Sequence, residues 1–201
     1  GLALVHQDKK RGFIEKTGKF VIICDYGWVD SFCEGLAMVY NSKEDKYGYI
    51  DKTGKLVISC DFPSAYDFKE GFARVLNSCR FIGDSRWGFI DKNGSLVIPH
   101  KFDGAGDFSE GLAAVKKGLK WGFIEKTGTI VIPCVYDEVQ LFKEGLACVK
   151  NNGKWGIIDR FGKVIVPYRY DSISIYKGLA RINGGEEYID KTGKVVIPKE
   201  S

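Results

Sequence analysis

The sequence lacks the residues and motifs on which most enzyme classes depend. It contains only two histidines, His6 and His100, in 201 residues. It has no Gly-x-Ser-x-Gly nucleophile motif, no phosphate-binding loop and no His-Glu-x-x-His zinc motif. The segment GAGDFS at 104–109 lacks the third glycine of a dinucleotide-binding loop and lies in a β context. These absences argue against the common catalytic classes, and we expect a protein that is not an enzyme.

Two further absences concern partners. No apolar stretch approaches the roughly 18 residues that a membrane-spanning helix needs, so we expect no membrane insertion. The formal charge is +4, from 30 basic and 26 acidic residues, and most lysines are spread over repeated turns instead of forming a run. Dispersed charge of this kind is typical of a solvated surface, and we expect no nucleic-acid partner.

Glycine, in contrast, is abundant, with 25 residues spread evenly among valine, isoleucine, phenylalanine and tyrosine. The segment KTGKFVI at 16–22 returns as KTGKLVI at 52–58 and as KTGKVVI at 191–197. Evenly spaced glycines beside β-branched and aromatic residues indicate many short strands joined by tight turns. The chain is therefore a repeat array, and its repeats decide the fold.

Each repeat carries two anchors, Gly-Leu/Phe-Ala and an aromatic residue followed by glycine. From the second anchor to the next first anchor the spacing is 22 or 23 residues, whereas from the first to the second it varies between 9 and 17. A constant half and a variable half predict a fixed scaffold with variable hairpin tips at the surface.

The constant half reads as strand, turn and strand, for example GFIEKTGKFVI at 12–22, with the turn glycine at a position of positive φ. The Gly-Leu-Ala segment adds a third strand. We therefore predict an all-β fold, a single array of about six three-stranded antiparallel units that is open and solenoid-like, with a closed propeller-like ring as the alternative. The predicted domain spans 1–201, with units at 1–34, 35–70, 71–110, 111–144, 145–177 and 178–201.

The combined pattern resembles the bacterial WG-repeat family, also called KWG repeats. The resemblance covers nearly the whole chain and is clearest at 111–171, where KWGFIEKTGTIVIP is followed by KWGIIDRFGKVIVP. Three repeats carry Trp-Gly, while Tyr47, Arg11 and Glu186 take the tryptophan place in the others. The resemblance implies a β repeat array that is commonly a non-catalytic part of a larger bacterial protein, so we expect this chain to be a fragment. It supplies no catalytic residue.

Three cysteines and a histidine share one place, just after the Val-Ile strand of successive repeats. They are Cys24, Cys60, His100 and Cys134. These are zinc-ligand types, but equivalent positions in stacked three-stranded units would lie roughly 10 to 15 Å apart, too far to share a metal or a disulfide. We predict buried, reduced thiols without metal or cofactor. Reduced thiols favour the cytoplasm, while the cell envelope stays open as a location.

The variable tips predict a non-enzymatic interaction or scaffold module whose partner is another protein or a fused domain of the same protein. The ranges 41–46 and 77–86 are the expected contact segments. The predicted contact residues are Trp28, Lys43, Lys46, Arg80, Phe81 and Arg86. Trp28 is included because a large aromatic residue is used there once, whereas the aligned places hold Ser64, Gly104, Glu138 and Ser172. A local core role is the alternative for Trp28.

The alternative function is binding of a carbohydrate or cell-envelope ligand through a row of aromatic side chains. Trp87, Trp121 and Trp155 share one place and would form a stacking platform if they were exposed. The competing interpretation is packing between repeats, since each tryptophan precedes a glycine where chains come close.

Two columns of carboxylates recur in the turns. One is Glu15, Asp51, Asp91, Glu125, Asp159 and Asp190, and the other is Glu34, Glu70, Glu110 and Glu144. A residue needed for chemistry is needed once, so we expect structural roles. The first column starts a turn and can accept backbone N–H hydrogen bonds there.

Overall fold

The structure, a computed structural model, describes residues 2–7, 10–77, 85–184, 187–190 and 192–197. The described residues form strands and turns, and none of them forms a helix long and apolar enough to cross a membrane. The all-β prediction is confirmed.

The strands are β1 (Ala3–Gln7), β2 (Lys10–Ile14), β3 (Phe20–Cys24), β4 (Trp28–Val29), β5 (Ala37–Asn41), β6 (Lys46–Ile50), β7 (Leu56–Phe62), β8 (Ala73–Leu76), β9 (Trp87–Ile90), β10 (Leu96–Phe102), β11 (Gly104–Ser109), β12 (Leu112–Lys117), β13 (Lys120–Glu125), β14 (Ile130–Tyr136), β15 (Glu138–Val139), β16 (Leu146–Asn151), β17 (Lys154–Asp159), β18 (Val164–Tyr170), β19 (Ile173–Tyr176), β20 (Leu179–Ile182), β21 (Glu187–Ile189) and β22 (Val195–Ile197).

Within the described ranges these strands form six antiparallel sheets that follow one another along the chain, in agreement with the predicted array of about six units. In each sheet, strands adjacent in sequence are also adjacent in space. Sheet 1 holds β1–β3, sheet 2 β4–β7, sheet 3 β8–β10, sheet 4 β11–β14, sheet 5 β15–β18 and sheet 6 β19–β22. The chain divides into two compact units, Gly1–Phe102 with sheets 1 to 3 and Asp103–Ser201 with sheets 4 to 6.

Four of the described sheets contain four strands, one more than the three predicted for each repeat. The added strands are β4, β11, β15 and β19, and β4 and β15 are only two residues long. In sheet 3 an isolated bridge between Ala65 and Val75 occupies the same place. A strand of two residues is too short to show alternation of apolar and polar residues, which is why the sequence pattern does not reveal β4 and β15.

The Glu-Gly pair of the first anchor forms the tight turn after this added strand. Cys33 and Leu36 exchange both backbone hydrogen bonds, at 2.8 and 3.1 Å. Between them Glu34 has φ of 50° and Gly35 has φ of 96°. Two consecutive residues with positive φ are typical of a type I′ hairpin turn, which explains the glycine. The turn directs the chain into the buried Gly-Leu-Ala strand.

The core lies between successive sheets of each unit. In the first unit one apolar cluster joins sheets 1 and 2, and another joins sheets 2 and 3. In the second unit, corresponding clusters join sheet 4 to sheet 5 and sheet 5 to sheet 6. The central strands are covered on both faces, so that the adjacent residues Tyr49 and Ile50 are both fully buried. Apolar residues therefore run consecutively in these strands instead of alternating.

The glycine of the aromatic-glycine anchor is required by the close approach of the neighbouring strand. A Cβ atom on Gly122 would lie 2.5 Å from the carbonyl oxygen of Ile132 and 2.7 Å from the nitrogen of Cys134. Trp121 pairs with Tyr136 and Phe123 with Ile132, so three residues of β14 oppose Gly122 alone. This bulge leaves no room for a side chain.

Candidate functional site

An aromatic row crosses sheet 2 near the end that carries its hairpin tip. Trp28 pairs with Tyr40, Tyr40 with Tyr47, and Tyr47 with Phe62. Directly paired residues in antiparallel strands project from the same face. The ring centroids of Tyr40 and Tyr47 are 5.0 Å apart, and Trp28 is 38% exposed. The row is thus a partly exposed aromatic surface.

Part of this row lines an open cavity of about 490 Å³, which we call the aromatic cleft. Its opposite wall is the short segment that pairs with β8 at the start of sheet 3. The lining residues are Trp28, Asp30, Met38, Tyr47, Ser64, Ala65 and Tyr66. Asp30 is the single charged residue among them. Aromatic walls with a few polar groups are the usual composition of a binding site.

The Tyr66 wall of the cleft is held by a cation of the same chain. The guanidinium carbon of Arg74 lies 3.4 Å from the centroid of the Tyr66 ring and 5.7 Å from that of Trp87. The two rings are themselves 5.7 Å apart. A guanidinium above an aromatic face is attracted by the ring quadrupole. This stack positions Tyr66, which is 40% exposed.

The corresponding place in sheet 4 is closed. Gly104 aligns with Trp28, and the Trp121 ring reaches within 3.1 Å of the position that a Cβ atom on Gly104 would take. Gly106 aligns with Asp30, and the Leu141 side chain lies 3.3 Å from the corresponding Cβ position. Side chains therefore fill in sheet 4 the space that remains open beside sheet 2.

The tryptophans of the aromatic-glycine anchors are half-buried. Trp121 and Trp155 pack against the apolar clusters of their sheets. Lys116 Nζ lies 5.9 Å from the Trp121 ring, and Lys150 Nζ lies 5.8 Å from the Trp155 ring. In both cases the lysine is the cross-strand partner of the tryptophan. This geometry favours packing between repeats over an exposed row of rings.

Three of the predicted contact residues lie together in the structure. Lys43 and Lys46 belong to the hairpin tip between β5 and β6, where Asn41 and Lys46 form the last pair. The next pair is Tyr40 with Tyr47, which continues to Trp28. The structure thus brings both lysines to the end of sheet 2 that carries the aromatic row.

The other predicted contact residues belong to the longest tip. Arg86 lies at its base, where its backbone N–H donates to Asn77 Oδ1 at 2.6 Å and its carbonyl accepts from the Asn77 N–H at 3.0 Å. Arg80 and Phe81 lie outside the described residues.

The row that contains three cysteines and a histidine has a packing role. Cys24 and Cys60 are buried, as predicted, and burial raises the pKa of both thiols. Cys134 is half-buried. His100 lies over Gly88, where a Cβ atom would be 3.0 Å from its Nδ1, and burial lowers its pKa. In the described part of the chain, no three His, Cys, Asp or Glu side chains are grouped so that they could hold a metal ion.

The first carboxylate column stabilises its own turn, as predicted. Asp51 Oδ1 accepts hydrogen bonds from the backbone N–H groups of Thr53 and Lys55 at 2.8 and 3.1 Å. The Thr53 hydroxyl donates to the same oxygen at 2.6 Å. These bonds, that of the Thr53 hydroxyl first, lower the pKa of Asp51.

The second carboxylate column makes a contact that sequence reasoning missed. Glu34 accepts hydrogen bonds from the backbone N–H groups of Glu70 and Gly71, at 2.6 and 2.9 Å. Glu110 makes the same contact with the turn at 144–145, at 2.5 and 2.7 Å. We call these contacts glutamate clasps. The repeated glutamate in the sequence indicates a shared role, but the sequence does not indicate that its hydrogen-bond partner is the turn of the next repeat.

The anchors, turns and bulges described above correspond to a known repeat. The family described as "WG containing repeat" matches five segments of the chain. They are 12–43, 47–77, 87–121, 121–155 and 155–183. The chain belongs to the WG-repeat family. The resemblance predicted from the sequence is thereby confirmed, and the WG-repeat match includes the segment in which Tyr47 replaces tryptophan.

Solved structures with a similar fold share little sequence with this WG-repeat chain. A crystal structure of the eukaryotic initiation factor has a TM-score of 0.57 and 10% identity over 98% of this chain and 60% of the other chain. Hsv2 of Kluyveromyces lactis has a TM-score of 0.53 and 11% identity over 94% of this chain and 70% of the other. At such identities the likeness shows the fold alone. Among curated proteins, no sequence matches this chain.

Proposed function

We propose that this WG-repeat chain is a non-enzymatic binding module that recognises a protein partner through the tip end of sheet 2. The aromatic cleft is the observation that carries the proposal. Trp28 and Tyr66 are 38% and 40% exposed on facing walls, whereas the equivalent place in sheet 4 is filled. Partly exposed tryptophan and tyrosine side chains in a pocket are the most frequent energetic centres of protein interfaces.

The hairpin tip beside the cleft has the composition of an interface rim. Residues 43–46 read Lys-Glu-Asp-Lys and carry both signs of charge. A polar, mixed-charge rim around an aromatic centre is the common anatomy of a protein interface. The tip spans four residues between β5 and β6, whereas two residues connect β12 to β13 and β16 to β17.

The tip is ordered by bonds of its own, so binding would cost little entropy. The Tyr40 hydroxyl donates to Asp45 Oδ1 at 2.6 Å, and the Lys43 backbone N–H donates to Asn41 Oδ1 at 3.1 Å. Preordering of a contact segment improves affinity because fewer conformations are lost on association. The aromatic cleft and the tip together therefore form one preordered surface.

The alternative of carbohydrate binding depended on Trp87, Trp121 and Trp155. These rings are half-buried, and cations of the same chain lie above them. A sugar would instead stack on the rings of the aromatic cleft, so both functions are tested at the same residues.

The test compares partner capture by the wild-type chain with capture by Trp28→Gly, which introduces the residue of the aligned place in sheet 4. Leu119→Ala, a change at an exposed tip of the second unit, is the matched control. Captured proteins are identified, purified and measured by calorimetry with each variant. We expect one of them to bind the wild type and the control equally and Trp28→Gly at least about tenfold more weakly.

Two results would overturn the proposal. Equal binding of a purified partner to all three chains would show that the contact does not involve the cleft. Saturable binding of a glycan that is lost in Trp28→Gly, without any direct protein partner, would replace the protein by a carbohydrate.

A further inference from the structure

In three repeats, the ring of the aromatic-glycine anchor lies beside a cation of the same chain. Lys116 lies above Trp121, Lys150 above Trp155, and the Arg74 guanidinium near Trp87. The distances to the ring centroids are 5.9, 5.8 and 5.7 Å. Each pair is within the range of a favourable cation–π interaction. The anchor ring is thus a recurring acceptor of cations.

The ring of Tyr47 is the exception. At the place of the covering lysines its cross-strand partner is Tyr40, so an aromatic ring replaces the cation. In the described part of the chain, the cation–ring pairs include none on Trp28, Tyr40 or Tyr47. Sheet 2 therefore presents the acceptor ring without its cation.

The aromatic cleft also contains a carboxylate. Asp30 Oδ1 accepts a hydrogen bond from the backbone N–H of Ser31 at 2.7 Å. No described residue donates a hydrogen bond to its Oδ2. Aromatic faces carry a negative quadrupole, and among the described residues that line the cleft Asp30 alone carries a formal charge, so the cleft is complementary to a cation.

We propose that the aromatic cleft binds an arginine side chain of the protein partner, an inference that rests on the proposed function. The guanidinium stacks on the Trp28–Tyr47 side of the cleft and donates hydrogen bonds to the Asp30 carboxylate. Arginine suits this arrangement better than lysine, because its planar group stacks on rings and presents several N–H donors to a carboxylate at once. The stack of Arg74 on Tyr66, at 3.4 Å, is the same contact made within the chain.

The position of Arg74 determines which side of the cleft remains for the partner. Its guanidinium lies on the Tyr66 ring and close to the Trp87 ring. The ring faces that this guanidinium covers are therefore not accessible to a second cation. Trp28 and Tyr47 are on sheet 2, Asp30 directly follows β4, and Tyr66 lines the opposite wall of the cleft. An incoming guanidinium therefore binds against sheet 2, where the carboxylate offsets the repulsion by Arg74.

The experiment titrates the full chain with two blocked tripeptides, Gly-Arg-Gly and Gly-citrulline-Gly, which have nearly the same shape and differ in charge. Binding is followed by NMR at the Trp28 indole N–H. We expect saturable binding of the arginine peptide in the millimolar range, at least about fivefold tighter than that of the citrulline peptide. Asp30→Asn and Trp28→Gly each weaken binding at least about fivefold. Asp171→Asn, an exposed aspartate of the second unit, changes nothing.

Three results would overturn the inference. They are the absence of saturable binding, equal affinity for the citrulline peptide, and unchanged affinity in Asp30→Asn. Tetramethylammonium that binds as tightly as the arginine peptide would retain cation recognition but overturn the assignment to a protein side chain. A different result separates the two proposals: Trp28→Gly no longer binds the captured protein, and the wild type does not bind the arginine peptide. In that case the proposed function is retained and the arginine inference is wrong. The wild-type comparison of the two peptides requires no substitution and so is independent of folding defects.

Discussion

The carboxylate of Glu34 lies 2.6 Å from the backbone nitrogen of Glu70, the equivalent residue of the next repeat. Its second oxygen accepts the N–H of Gly71 at 2.9 Å. The donors are the two central N–H groups of a type I′ turn, where both residues have positive φ and the strand ladder supplies no acceptor. Each clasp therefore satisfies the turn of one repeat with the side chain of the previous one.

The clasp formed by Glu110 should contribute to stability. Glu110→Ala leaves two turn N–H groups to water, and we expect the free energy of unfolding to fall by about 1 kcal/mol, a modest value because the groups are near solvent. Urea denaturation measures the change. Glu44→Ala, at the exposed tip of sheet 2, is the control and should leave stability unchanged. Equal effects of the two substitutions would contradict a stabilising clasp.

The contribution of Glu34 should depend on pH. Burial alone would raise its pKa, but the Lys92 ammonium at 3.1 Å and the N–H groups of Gly71 and Glu70 hold the pKa below its ordinary value of 4.5. A carboxyl group whose pKa is lower in the folded state stabilises the fold above its unfolded pKa, and this stabilisation is lost as the pH falls through the folded pKa. The stability difference between wild type and Glu34→Gln should thus be constant near neutrality and shrink below pH 4.5. A difference that persists unchanged in acid would disprove this linkage.

The anchor glycine should tolerate no side chain. Gly122→Ala places a Cβ atom 2.5 Å from the Ile132 carbonyl oxygen, and we expect a loss of about 3 kcal/mol or more in the free energy of unfolding. Gly118 has φ of 60° and open space around its Cβ position, so Gly118→Ala should cost only about 1 kcal/mol of backbone strain. Denaturant melts of the two variants make the comparison. Similar losses would show that the close approach at Gly122 relaxes easily.

Local features of this fold could be predicted from the sequence because their causes are local. Gly18 is the last residue of a four-residue turn, and Asp51 is the first residue of the equivalent turn in the next repeat. The carboxylate and the glycine that such a turn requires can be recognised in the sequence itself. The packing role of Trp121 follows from its neighbour Gly122 and from their recurrence in the chain. Repetition of this kind also carries the family assignment.

Features that join different repeats could not be predicted. The partners of Glu34 lie 36 and 37 residues away, so no local pattern indicates them. The aromatic cleft depends on which side chain fills the gap between neighbouring sheets. In the second unit the Leu141 side chain covers Gly106, whereas in the first unit the residue that aligns with Leu141 is Asp67. Trp28 is distinctive in the sequence, but its exposure is a property of the packed sheets.

The most deeply buried of the described thiols should be inert in the folded protein. Cys148 is 1% exposed, and burial raises its pKa to about 12. Since the thiolate is the reactive form, iodoacetamide should not label Cys148 until the chain is unfolded. Peptide mapping after labelling, with and without urea, measures this, and the half-buried Cys33 is the internal comparison. Labelling of both cysteines at the same rate in the native protein would rule out the buried environment.

Trp28 should be the tryptophan most accessible to a collisional quencher. The Trp28 residue is 38% exposed, whereas Trp87, Trp121 and Trp155 are half-buried in their repeats. Trp28→Phe should therefore remove the component of the emission that acrylamide quenches most strongly, and Trp155→Phe, the matched control, should leave that component in place. Stern–Volmer slopes of both variants give the comparison. Strong quenching that survives Trp28→Phe and disappears in Trp155→Phe would place the exposed ring in the anchor row and restore the aromatic-row interpretation.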